Sequence, residues 1–254
     1  MTFLVFVGSE GVDDVAEEDL GGYSLKEDVE VVIGEGDSLL SELFDRIFMA
    51  MKEGERAYIK TKVDAKCRKV DDSLPGLKST LKFNVLLKSF NRAADIGELE
   101  PDEKLERAEH HKEKGTSIYQ QNNIDFGLRR FRKALEYLNS ISSVDGFSNA
   151  MVSRMNTLKC HCNLNLAAGH LKQEEFEKVI DYCMVALTLE PNNVKGLFRR
   201  AQAHAKLHQY DEAKKDLLRA RELDAENKSI VSLLKNIELS MKKERQMYQK
   251  MFSH

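Results

Sequence analysis

The sequence predicts an α+β domain at the N-terminus, an all-α superhelix of short repeats after it, and a long helix at the C-terminus. Up to about residue 90, short β-branched runs surround one amphipathic stretch, a pattern typical of a small sheet packed on a helix. From Leu105 onwards the apolar residues follow helical spacing. Small residues recur at equivalent places, as Ala186 and Ala220 do, and a period of about 34 residues is typical of stacked helix pairs.

The composition is that of a globular protein without a large basic surface. With 254 residues, 42% of them hydrophobic and 32% charged, the chain is long enough for two ordinary domains. The formal net charge is -3, so we expect no nucleic-acid partner. No apolar run approaches the roughly 20 residues of a membrane span, so we also expect no membrane partner. The opening segment, Met1–Val7, lacks a basic region and is expected to form a strand rather than a signal peptide.

The first 90 residues contain four predicted strands and one predicted helix. The strands are Phe3–Val7, Val29–Ile33, Arg56–Val63 and Leu81–Leu87. The helix covers Ser38–Lys52, whose apolar residues lie on one face and whose end is set by Gly54. A turn is predicted at Leu74–Gly76, which contains Pro75.

Three of these segments, Val32–Gly36, Met51–Ala57 and Leu74–Leu87, resemble the FK506-binding immunophilin domain in content and order. The resemblance implies a prolyl-isomerase pocket walled by aromatic side chains, with an indole at its floor. This chain has no Trp, and Phe44 falls nearest to the floor position. The Phe-Asp pair of that family is absent from 11–15, and its Tyr-bearing loop is replaced at 64–73. The resemblance therefore implies a degenerate isomerase domain with no catalytic residue, in which Phe44 marks a vestigial pocket.

Three helical repeats are predicted over residues 105–226. They start near Ala108, Cys160 and Val194, with a turn at Asn122-Asn123 and a helix end at Pro191. Gly115 and Gly127 are expected where the two helices of the first repeat approach closely. Residues 139–147 lengthen the first repeat. This spacing resembles the tetratricopeptide repeat, a helix–turn–helix unit whose first helices line a concave groove.

The two resemblances follow each other along the chain. The segment from Lys88 to Leu105 resembles the linker between the immunophilin and tetratricopeptide domains of the large FK506-binding cochaperones. The predicted domains are an immunophilin-like domain (1–90), a linker (91–104), the repeats (105–226) and a capping helix (227–254). The end of that helix, Lys242–Phe252, resembles the tail of the same cochaperones. Its basic, Met-bearing sequence also fits a calmodulin target, and the simpler interpretation is a solvated cap.

Five residues on the first helices of the repeats indicate a site for an acidic peptide. Lys112 and Thr116 belong to the first repeat and Asn165 to the second, while Lys195 and Arg199, four residues apart, share one face in the third. Three cations and a carboxamide around one groove suit a terminal carboxylate and an acidic side chain. Lysine supplies a point charge for such a ligand and arginine a bidentate fork.

These positions resemble the two-carboxylate clamp with which tetratricopeptide cochaperones hold the Glu-Glu-Val-Asp ending of Hsp90 or Hsp70. That family commonly has Asn where this chain has Thr116, whose hydroxyl can still donate a hydrogen bond. The resemblance implies a cytoplasmic or nuclear Hsp90 cochaperone of the immunophilin type with an unidentified client. The alternatives are a weakly active prolyl isomerase and a scaffold for another acidic-tailed partner.

The cysteines and histidines indicate neither disulfides nor a metal. The 4 cysteines, of which Cys160 and Cys183 fall in helical apolar patterns, lack the spacing of a disulfide framework, so we expect free thiols. Cys160 and Cys162, near His170, lie two residues apart, and on a helix such thiols point to different sides. We therefore expect no metal and no cofactor. His110-His111 is expected to begin a helix at the solvent or groove rim.

Overall fold

The computed structural model describes residues 2–8, 29–33, 39–63, 79–91, 95–141 and 147–251. The chain divides into two compact units, Met1–Glu98 and Leu99–His254. The first unit is α+β and the second is all-α, which confirms the predicted fold class. The predicted turn at Leu74–Gly76 and the segments 11–15 and 64–73, on which part of the immunophilin comparison rests, lie outside the described residues.

The described residues of the first unit contain a four-stranded antiparallel sheet. Its strands, in the spatial order β2-β1-β4-β3, are β1 (Thr2–Gly8), β2 (Val29–Val32), β3 (Arg56–Val63) and β4 (Ser79–Asn91). The interior strand β4 pairs Leu87 with Val5 of β1 and Phe83 with Ile59 of β3. It extends beyond the predicted Leu81–Leu87 at both ends because it has a hydrogen-bonding partner on each side.

Helix α1 (Leu39–Ala50) packs on this sheet. Phe83, Val85 and Leu87 alternate along β4 and are completely buried. The Phe44 ring on α1 meets the Phe83 ring edge-on, with centroids 5.0 Å apart, and stacks on Phe48 at 5.7 Å. Phe44 is 1% exposed, so this residue lies inside the core formed by α1 and β4.

The second unit is built from consecutive helix pairs followed by a single helix. Its helices are α2 (Pro101–Gln120), α3 (Ile124–Asn139), α4 (Asn149–Lys172), α5 (Phe176–Leu189), α6 (Val194–Lys206), α7 (Tyr210–Leu223) and α8 (Lys228–Met251). The predicted turn at Asn122-Asn123 separates α2 from α3, and α5 ends just before Pro191. Among the described helices, none is both long and apolar enough to cross a lipid bilayer.

Helix α4 begins earlier than the predicted start of the second repeat near Cys160. It starts at Asn149, because the hydroxyl oxygen of Ser148 accepts a hydrogen bond from the Met151 N–H at 3.2 Å and caps the helix. The added turns are packed rather than solvated, since Met155 and Leu158 are 6% and 5% exposed.

Gly115 on α2 and Gly127 on α3 lie where these helices approach closely, as predicted. A Cβ atom on Gly127 would lie 3.2 Å from the Gly115 carbonyl oxygen. A Cβ atom on Gly115 would lie 2.9 Å from Cε1 of Phe131, a ring that is itself 1% exposed and enclosed by its neighbours. The close approach of the two backbones therefore requires glycine here.

Helix α8 covers the last helix pair. Its residues Ile230, Leu234 and Ile237 are buried in one apolar cluster with Leu217 and Ala220 of α7. A helical array needs such a terminal element, because its last repeat has no following repeat to cover the apolar face.

His111 lies in the core, which corrects the expectation for the His110-His111 pair. Both residues lie in the middle of α2, and His111 is 1% exposed. Its ring stacks on Tyr137 with centroids 5.5 Å apart, and its Nδ1 accepts a hydrogen bond from Arg130 Nη1 at 3.2 Å. Burial, reinforced by the Arg130 charge, lowers the pKa of His111 to about 3.

We predict that His111 makes the second unit sensitive to mild acid. An unfolded histidine protonates near pH 6.5, whereas folded His111 stays neutral down to about pH 3. Its contribution is fully present above pH 6.5, and stability falls by about 1.4 kcal/mol per pH unit below that value. His111→Gln keeps an acceptor for Arg130 without a titrating group. Between pH 7 and pH 5 this variant should lose about 2 kcal/mol less unfolding free energy than wild type.

Urea unfolding at both pH values, followed by circular dichroism, measures this difference. His110→Gln is the matched control, because His110 is the exposed member of the pair, and it should keep the wild-type pH dependence. Equal losses of stability in wild type and His111→Gln would contradict the prediction.

Candidate functional site

Lys195 and Arg199 lie in the first half of α6. Asn193 fixes the start of this helix, because its side-chain oxygen accepts a hydrogen bond from the Gly196 N–H at 3.0 Å. Residues four apart then share a face, so Lys195 and Arg199 lie on the same side of α6. Lys195 is exposed and Arg199 is half-buried.

Lys112 and Thr116 lie one turn apart on α2, and both are half-buried. The Thr116 hydroxyl donates a hydrogen bond to the Lys112 carbonyl oxygen at 2.8 Å. This back-bond uses the single donor of the threonine side chain. In this rotamer Thr116 can accept a hydrogen bond from a ligand but cannot donate one, unlike the carboxamide that is common at this clamp position.

Lys112 of α2 and Lys195 and Arg199 of α6 each lie near α4 within residues 161–164. The Lys112 charge is close enough to the Cys162 thiol to oppose, in part, the rise in its pKa that burial causes. Arg199 Nη1 donates to the Leu164 carbonyl oxygen at 2.8 Å. Lys195 lines a cleft of about 570 Å³ between α4 and α6, together with His161 and Leu164. Asn165, the predicted carboxamide, follows Leu164 directly. We call this surface of α2, α4 and α6 the groove, defined by Lys112, Thr116, Asn165, Lys195 and Arg199.

The cations of the groove have no carboxylate partner in the part of the chain that the structure describes. The ion pairs there involve none of Lys112, Lys195 and Arg199. The neighbouring Arg200 is the opposite case. Its Nε and Nη2 donate to both carboxylate oxygens of Asp216 at 2.7 and 2.6 Å, and these bonds raise the pKa of Arg200.

Burial gives Arg199 an unfavourable environment for its charge. The pKa of Arg199 is lowered, mainly because burial removes water from the guanidinium. Its hydrogen bond to the Leu164 carbonyl oxygen engages Nη1 and supplies no negative charge. A carboxylate bound in the groove would compensate the Arg199 guanidinium for the hydration that it loses on burial. The arrangement is therefore suited to an anionic ligand.

Three further residues belong to this surface but are not among the predicted set. Tyr119 of α2 lies close enough to Arg199 to act on its charge, and the Lys172 ammonium lies 4.5 Å from the centroid of the Tyr119 ring. His161 is the third, through the cleft described above. Tyr119 follows Thr116 by three residues and Lys172 follows Asn165 by seven. Helical spacing could therefore have indicated both.

The three cysteines in the described part of the chain and His170 are parts of the packed core. Cys160, Cys162 and Cys183 are buried free thiols, and burial raises the pKa of each to about 12. His170 uses both ring nitrogens, Nδ1 toward Glu175 and Nε2 toward Arg132 Nη2 at 3.2 Å. Among the described residues no group of His, Cys, Asp or Glu side chains could hold a metal ion.

Comparison with known families identifies the repeats. A family model described as the tetratricopeptide repeat matches residues 194–227, which include α6 and α7. The C-terminal tetratricopeptide-containing domain of a Plasmodium falciparum FK506-binding protein superposes with a TM-score of 0.56 at 26% identity, and the match covers 60% of this chain and 99% of that domain.

Curated relatives extend the similarity to 87% of the chain. The peptidyl-prolyl cis-trans isomerase FKBP4 of Homo sapiens is 32% identical over 228 residues, and that of Bos taurus is 31% identical over 228 residues. These matches cover 49% of each relative, so this chain spans about half the length of the curated relatives it matches. The chain therefore contains a tetratricopeptide repeat and is similar to FKBP4-type immunophilins that have tetratricopeptide domains.

Proposed function

We propose that the second unit binds the acidic C-terminal peptide of Hsp90 or Hsp70, and that the chain acts as a cochaperone of the immunophilin type. The observation that supports this most directly is the convergence of Lys112, Lys195 and Arg199 on one segment of α4, with no carboxylate partner in the described part of the chain. The similarity to FKBP4 agrees with an immunophilin role.

In this proposal two pairs of groove residues recognise the two carboxylates at the peptide end. Lys112 and Asn165 hold the terminal carboxylate, while Lys195 and Arg199 hold the side-chain carboxylate of the last residue. Charge-assisted hydrogen bonds of this kind contribute about 1.5–3 kcal/mol each, against about 1 kcal/mol or less for an exposed ion pair. Thr116 occupies the fifth position, and because its hydroxyl donates to the Lys112 carbonyl oxygen, we expect it to lower affinity without removing the site.

We predict that a peptide ending in Met-Glu-Glu-Val-Asp binds the wild-type chain with micromolar affinity in a calorimetric titration. Lys195→Ala/Arg199→Ala should weaken binding by about 100-fold or more, because two charge-assisted bonds are lost. Thr116→Asn should tighten binding about fivefold, because the carboxamide adds a donor worth about 1 kcal/mol. The matched control is Lys228→Ala/Lys235→Ala, which removes two exposed cations from α8 and should bind as wild type does.

A peptide with an amidated C-terminus separates a clamp from general charge attraction, since it keeps both glutamates and loses only the terminal charge. It should bind at least tenfold more weakly. Equal binding of the free-acid and amidated peptides would contradict the clamp. Binding of other acidic tails alone would favour a scaffold for a different acidic-tailed partner.

We further propose that the first unit is a degenerate immunophilin-like domain without isomerase activity. The chain has no Trp. Phe44, the residue nearest to the floor position of the family pocket, is enclosed by Phe48 and Phe83 and presents almost no surface to a substrate proline. A ligand that fills an aromatic pocket needs those walls exposed.

The corresponding prediction is that FK506 does not bind this chain at micromolar concentrations in a calorimetric titration. Human FKBP4, titrated under the same conditions, serves as the reference for an isomerase relative. FK506 binding would show an open pocket, and faster cis-trans isomerisation of a proline peptide in the presence of this chain would establish a weakly active isomerase.

We also propose calmodulin as a second partner, at the end of α8. The apolar contacts of α8 with the repeat core end at Met241, and the following turns are exposed. There Met247, Tyr248 and Met251 are 54%, 50% and 64% exposed, on a helix that also bears exposed basic residues, among them Lys243. Basic helices with exposed methionines suit calmodulin.

Calmodulin should bind the full chain in the presence of Ca²⁺ and dissociate when the Ca²⁺ is chelated, as followed by calorimetry. Met247→Glu/Met251→Glu should remove binding, because it places two charges on the apolar contact surface. Leu239→Ala, at an exposed position closer to the repeats, is the control. Undiminished binding by the double variant would rule out this end of α8.

A further inference from the structure

His161 differs from the other histidines in the described part of the chain. Each of the others has a hydrogen bond or a ring contact to a neighbouring side chain: His110, His111, His170, His204 and His208. Among the described residues, His161 has no such contact and no ion pair, and its side chain is exposed on α4. The fold therefore leaves this imidazole available to a ligand.

His161 lies in the groove. It precedes Asn165 by four residues on α4, so the two side chains share one face of that helix. It also lines the cleft of about 570 Å³ together with Lys195 of α6. In the proposed complex Asn165 binds the terminal carboxylate of the peptide, and Lys195 binds the side-chain carboxylate of its last residue. The imidazole is therefore adjacent to the place where both negative charges of the peptide end would bind.

Charged groups of three other segments lie around His161. Lys195 of α6 lines the same cleft, and Lys112 of α2 lies near the residue that follows His161. Glu190, which follows α5, is the acidic side chain of the cleft, and its Oε2 already accepts a hydrogen bond from Asn193 Nδ2 at 2.8 Å. A protonated imidazole here has cations nearby and an internal carboxylate that is already engaged. A ligand carboxylate would be its favourable partner.

Helix α4 itself contains no acidic residue. Arg154, seven residues before His161 on the same face, is paired with Glu109 of α2. The thiols of Cys160 and Cys162 stay protonated, because burial raises the pKa of each to about 12. Of these groups, only histidine is a residue type that changes charge between pH 5 and 8 in its ordinary state.

We propose that His161 is a sixth binding residue of the groove, and that its protonated imidazole donates a hydrogen bond to a carboxylate of the peptide end. This inference rests on the proposed peptide-binding function and adds a regulation of the same site by pH. The positive charges of Lys112, Lys195 and Arg199 are fixed over the physiological range, whereas the charge at His161 is adjustable.

The sign of the effect follows from linkage. Bound carboxylates favour the protonated imidazole, so peptide binding takes up protons and affinity rises as the pH falls through neutrality. The peptide carboxylates limit this gain only near pH 4, where they become neutral themselves. Protonation of buried His111 acts in the opposite direction, because it destabilises the second unit in mild acid and cannot increase affinity.

Calorimetric titration of the full chain with the Met-Glu-Glu-Val-Asp peptide, at pH 7.5 and pH 6.0 and constant ionic strength, tests the proposal. Wild type should bind about threefold more tightly at pH 6.0. A unit charge beside a surface carboxylate contributes roughly a factor of five, and part of it is present already at pH 7.5. At pH 6.5, titrations in buffers of different ionisation enthalpy should show uptake of a fraction of one proton per peptide bound.

Two variants assign this pH dependence to His161. His161→Gln keeps a hydrogen-bond donor without a titrating group, and it should bind with the wild-type affinity of pH 7.5 at both pH values. His161→Lys carries a fixed charge and should bind at both pH values as tightly as wild type does at pH 6.0. Neither variant should take up a proton on binding. His208→Gln, an exposed histidine in the turn after α6, is the matched control and should keep the wild-type pH dependence.

The outcomes separate the role of His161 from the clamp. Equal wild-type affinities at the two pH values, in a chain that binds the peptide, would overturn the role of His161 and leave the clamp in place. A pH dependence or a proton uptake that persists in His161→Gln would also overturn it. Failure of the peptide to bind at either pH would remove the clamp and the role of His161 together.

Discussion

The close approach of neighbouring helices is the constraint on which the second unit depends. Gly115 faces Gly127 between α2 and α3, and a Cβ atom on Gly169 of α4 would lie only 2.3 Å from Leu128 Cδ2 of α3. On α6, a Cβ atom on Gly196 would lie 3.2 Å from Leu187 Cδ2. These small positions let successive helices pack side by side, with α4 in contact with both α2 and α6. The groove exists because α2, α4 and α6, the first helices of successive pairs, are packed this closely side by side.

Two adjacent arginines show how the unit separates stability from binding. Arg200 is neutralised by Asp216, a carboxylate that is 5% exposed, and this pair joins α6 to α7. Arg199, the preceding residue, is partly desolvated and donates to the Leu164 carbonyl oxygen. If only the stability of the fold mattered, a carboxylate would be expected beside the Arg199 guanidinium, or an apolar residue in place of Arg199. A half-buried cation without a carboxylate partner is more readily explained by a ligand than by folding.

Much of this arrangement could be predicted from local sequence, and the parts that could not depend on distant contacts. Asn122-Asn123 and Pro191 indicate the helix ends because turn chemistry is local, and the spacing of Lys195 and Arg199 is enough to place them on one face. The start of α4 is less predictable from the sequence. Its first turns precede the residues that follow the repeat period, and Ser148 is the local signal for the N-cap. The burial of His111 could not be predicted, because its partners in the core, Arg130 and Tyr137, come from the next helix, Arg130 being nineteen residues later.

The way α8 closes the array has a consequence for shortened forms of the protein. Leu217 and Ala220 are fully buried, in an apolar cluster to which α8 contributes Ile230, Leu234 and Ile237. A chain terminated in the turn before α8 would present these residues to water as a continuous apolar stripe, together with the uncovered side of α6. Such surfaces are what molecular chaperones recognise in damaged proteins. A premature stop in this region would therefore leave an exposed apolar surface on the last repeat, which favours aggregation or binding to other proteins.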